Sequence, residues 1–175
     1  MRRPPTQRAF TLAELIGVMV LMSVLSAAAI PALRGLQDRR EQALAREVQR
    51  RLSLARSWAA ATGAPAGLTV DPVAGSLLLV RIERPGDPPT AAPGPGGAAG
   101  APLLVASQFP GAAVVSVLHG DGSTGAGTIW FGPDGRPQTR DASGAYLSDF
   151  ASDALITVSG PVEITVRRTT GLIER

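Results

Sequence analysis

FTLAELIGVMVLMSVLSAAAIPAL, residues 10–33, decides the architecture of this 175-residue chain. Glu14 is its single charge, and residues 15–33 are 19 uncharged, mostly apolar positions. As a helix at ~1.5 Å per residue they cover about 28 Å, close to the ~30 Å hydrocarbon core of a bilayer. A helix apolar on every face belongs in a membrane, in a large buried core, or in a signal peptide. Arg2, Arg3 and Arg8 precede it, and Ala27, Ala28 and Ala29 supply an A-x-A cleavage pattern, so a secreted β-protein with an ordinary signal peptide is one reading. Against it stands Glu14, since an acid near mid-span costs about 2.5–3.5 kcal/mol, though less near the end of the span.

The helical pattern also continues past the alanines. Leu36, Leu44, Val48, Leu52, Ala55 and Ala59 recur at steps of three or four residues or their double, while Arg39, Arg40, Arg46, Arg50 and Arg51 lie mostly off that stripe. An amphipathic helix therefore follows the apolar one. Pro31 marks the join, where it removes a backbone hydrogen bond and predicts a kink. The helix ends near Thr62 and Gly63, with Gly63 free to adopt a left-handed cap and Pro65 blocking continuation. The expected organisation is a basic leader at 1–9, a transmembrane half-helix at 10–33, an amphipathic half-helix at 34–63 and a β-rich head at 64–175.

Composition removes whole classes of chemistry. The chain has no Cys, its 17 basic residues are all Arg, and His119 is its single histidine. A disulfide, a thiolate nucleophile, a Walker A lysine, a Schiff-base lysine and a multi-histidine metal site are excluded. No cofactor and no metal is expected. The net charge of +3 resolves by region: the leader carries three Arg and no acid, residues 34–56 carry seven Arg against three acids, and residues 57–175 carry seven Arg against ten acids. A general polyanion-binding surface is not indicated.

Beyond Gly63 short β-runs are punctuated by Gly, Pro and Asp. Candidate strands are 66–70, 77–83, 103–108, 113–118, 128–131, 154–159 and 162–167, predicting a small antiparallel sandwich or paired sheets. Asp71-Pro72-Val73-Ala74-Gly75 reads as a turn, as does Ser159-Gly160-Pro161. In the last strand Val162, Ile164 and Val166 alternate with Glu163, Thr165 and Arg167, giving one buried and one wet face. Residues 84–102, rich in Pro and Gly, read as a flexible surface loop. Gly120-Asp121-Gly122-Ser123-Thr124-Gly125 matches G-x-G-x-x-G in letters, but a predicted strand follows where the dinucleotide fingerprint needs a helix, so it reads as a hairpin loop. His119 beside it lacks a nucleophilic serine and reads as a turn residue.

The basic leader followed by Phe10-Thr11-Leu12-Ala13-Glu14-Leu15 resembles the prepilin peptidase motif of type IV prepilins and of the pseudopilins of type II secretion. That resemblance implies cleavage between Ala9 and Phe10, N-methylation of Phe10, and an assembly role for Glu14. It also implies a pilin fold: an α+β chain whose long N-terminal helix, kinked at Pro31, packs on a small antiparallel β-sandwich-like head. Ala9 stands where the family usually has Gly. Phe131-Gly132-Pro133-Asp134-Gly135-Arg136 and the closing Thr170-Gly171-Leu172-Ile173 resemble the GspH/FimT family of minor pseudopilins and pilins. The acid-rich calcium loop of a major pseudopilin is not visible, which favours a minor subunit.

The expected function is that of a non-enzymatic minor pseudopilin in the inner membrane, single-pass with its head in the periplasm, assembled into a filament that helps export proteins. Its expected partners are the prepilin peptidase, other pseudopilins or pilins through the N-terminal helix, and the membrane. The alternative within the resemblance is a minor type IV pilin for pilus priming or DNA uptake. Where DNA-uptake pilins have a motif resembling G-R-x-R, this chain reads Gly171-Leu172-Ile173-Glu174, leaving Arg167, Arg168 and Arg175 as a weak nucleic-acid contact or a solvated strand end.

Overall fold

The computed structural model describes residues 12–84, 86–93, 100–160 and 162–175, and of residues 28–34 the backbone alone. The chain separates into two compact units, Met1–Gln37 and Asp38–Arg175. The leader, Ala9 and Phe10 lie outside the described residues.

Helix α1 runs over Leu12–Thr62 and is helical through Pro31. The side chain of Pro31 lies outside the described set, and with it the expected kink. Among the described residues no helix is long and apolar enough to cross a membrane. Of the 10–33 stretch expected to span a membrane, residues 10 and 11 lie outside the described set and residues 28–33 are described by backbone alone.

In the second unit the amphipathic pattern does what its spacing predicts. Leu44, Val48, Leu52, Ala55 and Ala59 are fully buried, with Ala45 beside them. Leu36, the first member of the expected stripe, is instead about half exposed at 48%; it belongs to the first unit. The helix stops at Gly63, which takes φ 69° and whose N–H donates to the Ala59 carbonyl at 3.0 Å. A left-handed residue there ends the helix at little cost because glycine has no Cβ to clash.

The chain then builds two antiparallel sheets. The larger contains β1 (Ala66–Asp71), β2 (Ser76–Arg81), β3 (Thr90–Ala91), β4 (Leu103–Leu104), β6 (Gly127–Phe131), β7 (Pro137–Arg140) and β8 (Tyr146–Asp149). Its order is β3-β2-β1-β6-β7-β8, with β4 also paired to β2. The smaller contains β5 (Val114–Leu118), β9 (Ala154–Val158), β10 (Val162–Val166) and β11 (Ile173–Glu174), in the order β11-β10-β9-β5. One continuous core joins Leu44, Val48 and Leu52 of the helix to Leu68, Val70, Ile129 and Phe131 of the larger sheet and to Val117, Ile156, Ile164 and Val166 of the smaller. Each of these side chains is fully buried.

Register follows pattern. In β10, Ile164 and Val166 are buried and Glu163 exposed, as the alternation predicts, and Val162 pairs with Val158 beyond the turn residues Ser159 and Gly160. The 71–75 turn closes as predicted, with Asp71 Oδ1 accepting the N–H groups of Val73 and Ala74 at 2.9 and 2.8 Å. Gly67 pairs with Trp130, and a Cβ at Gly67 would stand 2.7 Å from the Ile129 carbonyl oxygen and 3.0 Å from the Trp130 ring. Trp130 with Val80 and Ile82 forms a second, smaller apolar cluster.

Three expectations about the head need correction. Residues 103–108 are not one strand: β4 covers two of them and α2 (Val105–Gln108) the rest, its turn closed by the Phe109 N–H donating to the Val105 carbonyl at 2.8 Å. The 84–102 stretch is held to the sheet at its middle. β3 pairs Val80 with Ala91, the Ala92 N–H donates to the Leu79 carbonyl, and Ala92 is buried. Strands β7 and β8 were not expected, because PQTR and YLSD carry no apolar alternation and are fixed only by pairing to a neighbour.

Candidate assembly site

The N-terminal unit presents apolar side chains all round. Leu12, Leu15, Ile16, Val18, Met19, Val20, Leu21, Met22, Val24 and Leu25 are each more than half exposed. Exposed apolar surface this contiguous marks a membrane or protein contact. Glu14 sits in the first turn of α1, and with Gly17, Val18, Leu21, Met22 and Leu25 it lines a shallow groove along one helix face. A Cβ at Gly17 would meet nothing within 4 Å, so the helix surface is open there.

In the head the two features picked out near the C-terminus come together on the helix. The β6–β7 turn is closed by the Gly132 N–H donating to the Arg136 carbonyl at 2.8 Å, with Gly135 at φ 74°. The C-terminal turn is closed by the Gly171 N–H donating to the Arg167 carbonyl, also at 2.8 Å. Arg56 of α1 joins them: its Nε donates to the Gly135 carbonyl at 3.2 Å and its Nη2 to the Thr170 carbonyl at 2.9 Å. A Cβ on Gly171 would collide with the Gly135 carbonyl oxygen. Sequence reading missed Arg56 as the link; its place off the apolar stripe was the available signal.

Arg167 and Arg168 are engaged within the chain. Arg167 donates to Asp153 at 2.9 Å and pairs with Glu174 at 2.7 Å. Arg168 donates from its side chain to the Ala151 carbonyl at 2.6 Å and from its backbone to Asp153 at 2.8 Å. The Arg168 amide and then the Arg167 side chain hold the Asp153 carboxyl below its usual range. Arg175 is exposed at the chain end. The glycine-rich 120–125 segment is the expected loop before β6, with the His119 N–H donating to the Ser123 carbonyl at 2.8 Å. His119 is buried and its Nε2 lies 3.2 Å from the Gly125 carbonyl, not paired with Asp121. Among the described residues no group of acids and histidine is placed to hold a metal.

The pattern of the type II transport protein GspH family matches residues 44–170. The chain belongs to the GspH family. The prokaryotic N-terminal methylation motif also matches, over residues 4–30. Among solved structures this GspH-family chain is similar to the minor pseudopilin EpsH from the type 2 secretion system of Vibrio cholerae, with a TM-score of 0.54 and 11% identity. The similarity covers 77% of this chain and 94% of that one, and at such identity it is a likeness of fold. None of the curated proteins matches the chain. Family, motif and fold together are those of a minor pseudopilin of the type II secretion system, a structural class and not an enzyme class.

Proposed function

We propose that the chain works as a single-pass subunit of the inner membrane, cut after Ala9, methylated at Phe10 and assembled through α1 into a periplasmic filament that helps export proteins. The carrying observation is the division of labour along one helix. Its first turns leave large apolar side chains exposed on all sides, while from Leu44 onward one face is fully buried on a β-rich head. A helix built this way is anchored by one part and carries a domain with the other. The methylation motif supports the prepilin peptidase as processing partner.

Glu14 is the proposed assembly residue. A carboxylate among lipid-facing residues gains from a cation, and the amine freed at Phe10 of a neighbouring subunit supplies one. The 10–33 segment is the proposed span and Pro31 its proposed kink. The DNA-uptake reading gains no support from Arg167, whose guanidinium is already shared between two carboxylates.

Processing and assembly are tested together by sequencing the mature N-terminus and cross-linking subunits in membranes. The expected result is a start at Phe10, and Glu14→Leu inserting as well as wild type but cross-linking several-fold less. A chain that starts after Ala29 sinks the reading in favour of a signal peptide; wild-type cross-linking in Glu14→Leu sinks the role of Glu14.

A further inference from the structure

The face of α1 turned away from the head core is basic at one end and hollow at the other. At about 100° per residue Arg39, Arg46, Arg50 and Ser57 fall within about 40° of one another, opposite the Leu44, Val48 and Leu52 stripe. All four are exposed. Among the described residues Arg39 has no ion-pair partner, Arg46 donates only to the Gln42 carbonyl at 3.2 Å, and Arg50 shares Glu47 with Arg51. Asp38, Glu41 and Glu47, the acids of this part of the helix, stand about 60° or more around it from the nearest arginine of the row. The row is under-neutralised.

Beyond Arg50 the same face opens into a hollow of about 370 Å³ between α1 and the two turns that Arg56 joins. Ser53, Ser57 and Ala60 line it on the helix side, and Asp134, Leu172 and Ile173 line it on the side of the turns. Leu172 is an apolar wall that stays 48% exposed. The hollow has room for a large side chain, and the three helix residues at its edge are too short to fill it.

A second copy of this chain is the wrong occupant. Its own α1 repeats the charge of the row, with seven arginines against three acids over residues 34–56. Its Glu47, Glu83, Asp134, Asp153 and Glu174 are each paired with an arginine of their own chain.

We propose that this face docks an acidic amphipathic helix of a different chain, with carboxylates on Arg39, Arg46 and Arg50 and one large apolar side chain in the hollow. Arg39 to Arg50 rises about 16 Å, and Ser57 stands about 10 Å further along. A helix lying alongside meets them with acids at i, i+7 and i+11 and an apolar residue at i+18, positions that again share one face. An anionic lipid would satisfy the arginines but brings no side chain for the hollow in line with them. The proposal rests on the assembly reading above. It adds that a minor subunit selects a neighbour unlike itself, by charge and by fit together.

The probe is a labelled synthetic helix with Glu at i, i+7 and i+11 and Leu at i+18 on an Ala and Gln background, together with its reversed sequence for the antiparallel approach. Both are titrated by fluorescence anisotropy against the full-length chain in nonionic detergent. One of them should bind saturably. Arg39→Gln with Arg46→Gln, which breaks no ion pair within the chain, should weaken it about tenfold. Ser57→Trp, which fills the hollow from an exposed position, should weaken the Leu peptide several-fold and leave a peptide with Ala in that place unchanged.

The proposal is overturned if neither peptide binds, if a scrambled peptide of the same composition binds as well, or if either variant has no effect. Loss of binding to phosphatidylglycerol vesicles in Arg39→Gln with Arg46→Gln, with peptide binding unchanged, overturns it in favour of a lipid surface. The chain has no native cysteine, so high-yield disulfide dimers of Ser57→Cys in membranes would seat a second copy on this face and overturn it too. Failure of the peptides while Glu14-dependent cross-linking persists removes this surface alone. Loss of that cross-linking removes the assembly reading whatever the peptides do.

Discussion

Glu47 holds two arginines of its own helix. It lies on the flank of the buried stripe, receives Arg51 at 2.7 Å and Arg50 at 2.9 Å, and is 15% exposed against 10% for Arg51. Burial pushes the Glu47 carboxyl up, but the hydrogen bonds from Arg50 and Arg51 together outweigh it and hold the group below its ordinary value. A group depressed in the folded state adds stability above its unfolded pKa, about 4.3, and loses that stability as pH falls through the folded value. Unfolding of the wild type by urea should therefore show stability that declines below about pH 4. Glu47→Gln leaves Arg51 with little compensation and should cost about 2 kcal/mol at pH 7, with a weaker decline in acid. A variant as stable as wild type at pH 7, with the same acid profile, would remove Glu47 from this role.

At the scale of elements, the helix and the strands were legible to different degrees for a physical reason. Leu44, Val48, Leu52, Ala55 and Ala59 repeat along a helix whose one face must be buried, so spacing alone located them. The strands β1, β6, β9 and β10 carry Val, Ile and Phe between turn residues and were equally readable. Strands β7 and β8 were not, because Gln138, Thr139, Ser148 and Asp149 are ladder partners whose place is decided by pairing with distant chain. Arg56 belongs to the same class: its value lies in two carbonyls, 79 and 114 residues away. Arg56→Ala should remove both hydrogen bonds and cost about 1–2 kcal/mol. Faster amide exchange is expected at the β6–β7 turn and at β11, with β9 and β10 unchanged. Equal acceleration throughout the smaller sheet would mean that Arg56 supports the fold generally and is no local clasp.

For the whole molecule, the described core of the second unit is built from that unit's own residues. Among the described residues every fully buried large side chain lies between Leu44 and Val166, and the helix segment from Leu44 to Ala59 packs in the same core as both sheets. Residues 37–175 should therefore be soluble and β-rich by circular dichroism, and should unfold in one cooperative transition. This piece carries 13 arginines and 13 acids, so no net field attracts a polyanion. Of its C-terminal cations, Arg167 is held by Asp153 and Glu174, which leaves Arg168 and Arg175 to meet phosphates. Each phosphate contacted contributes about −0.9 to the slope of log affinity against log salt. The soluble piece should thus bind duplex DNA only at low ionic strength, with a slope no steeper than about −2. Tight binding near 0.15 M salt (roughly physiological) that Arg167→Ala with Arg168→Ala abolishes would require the Arg167 guanidinium to leave Asp153 and Glu174 for DNA, and would move the chain from secretion to DNA uptake.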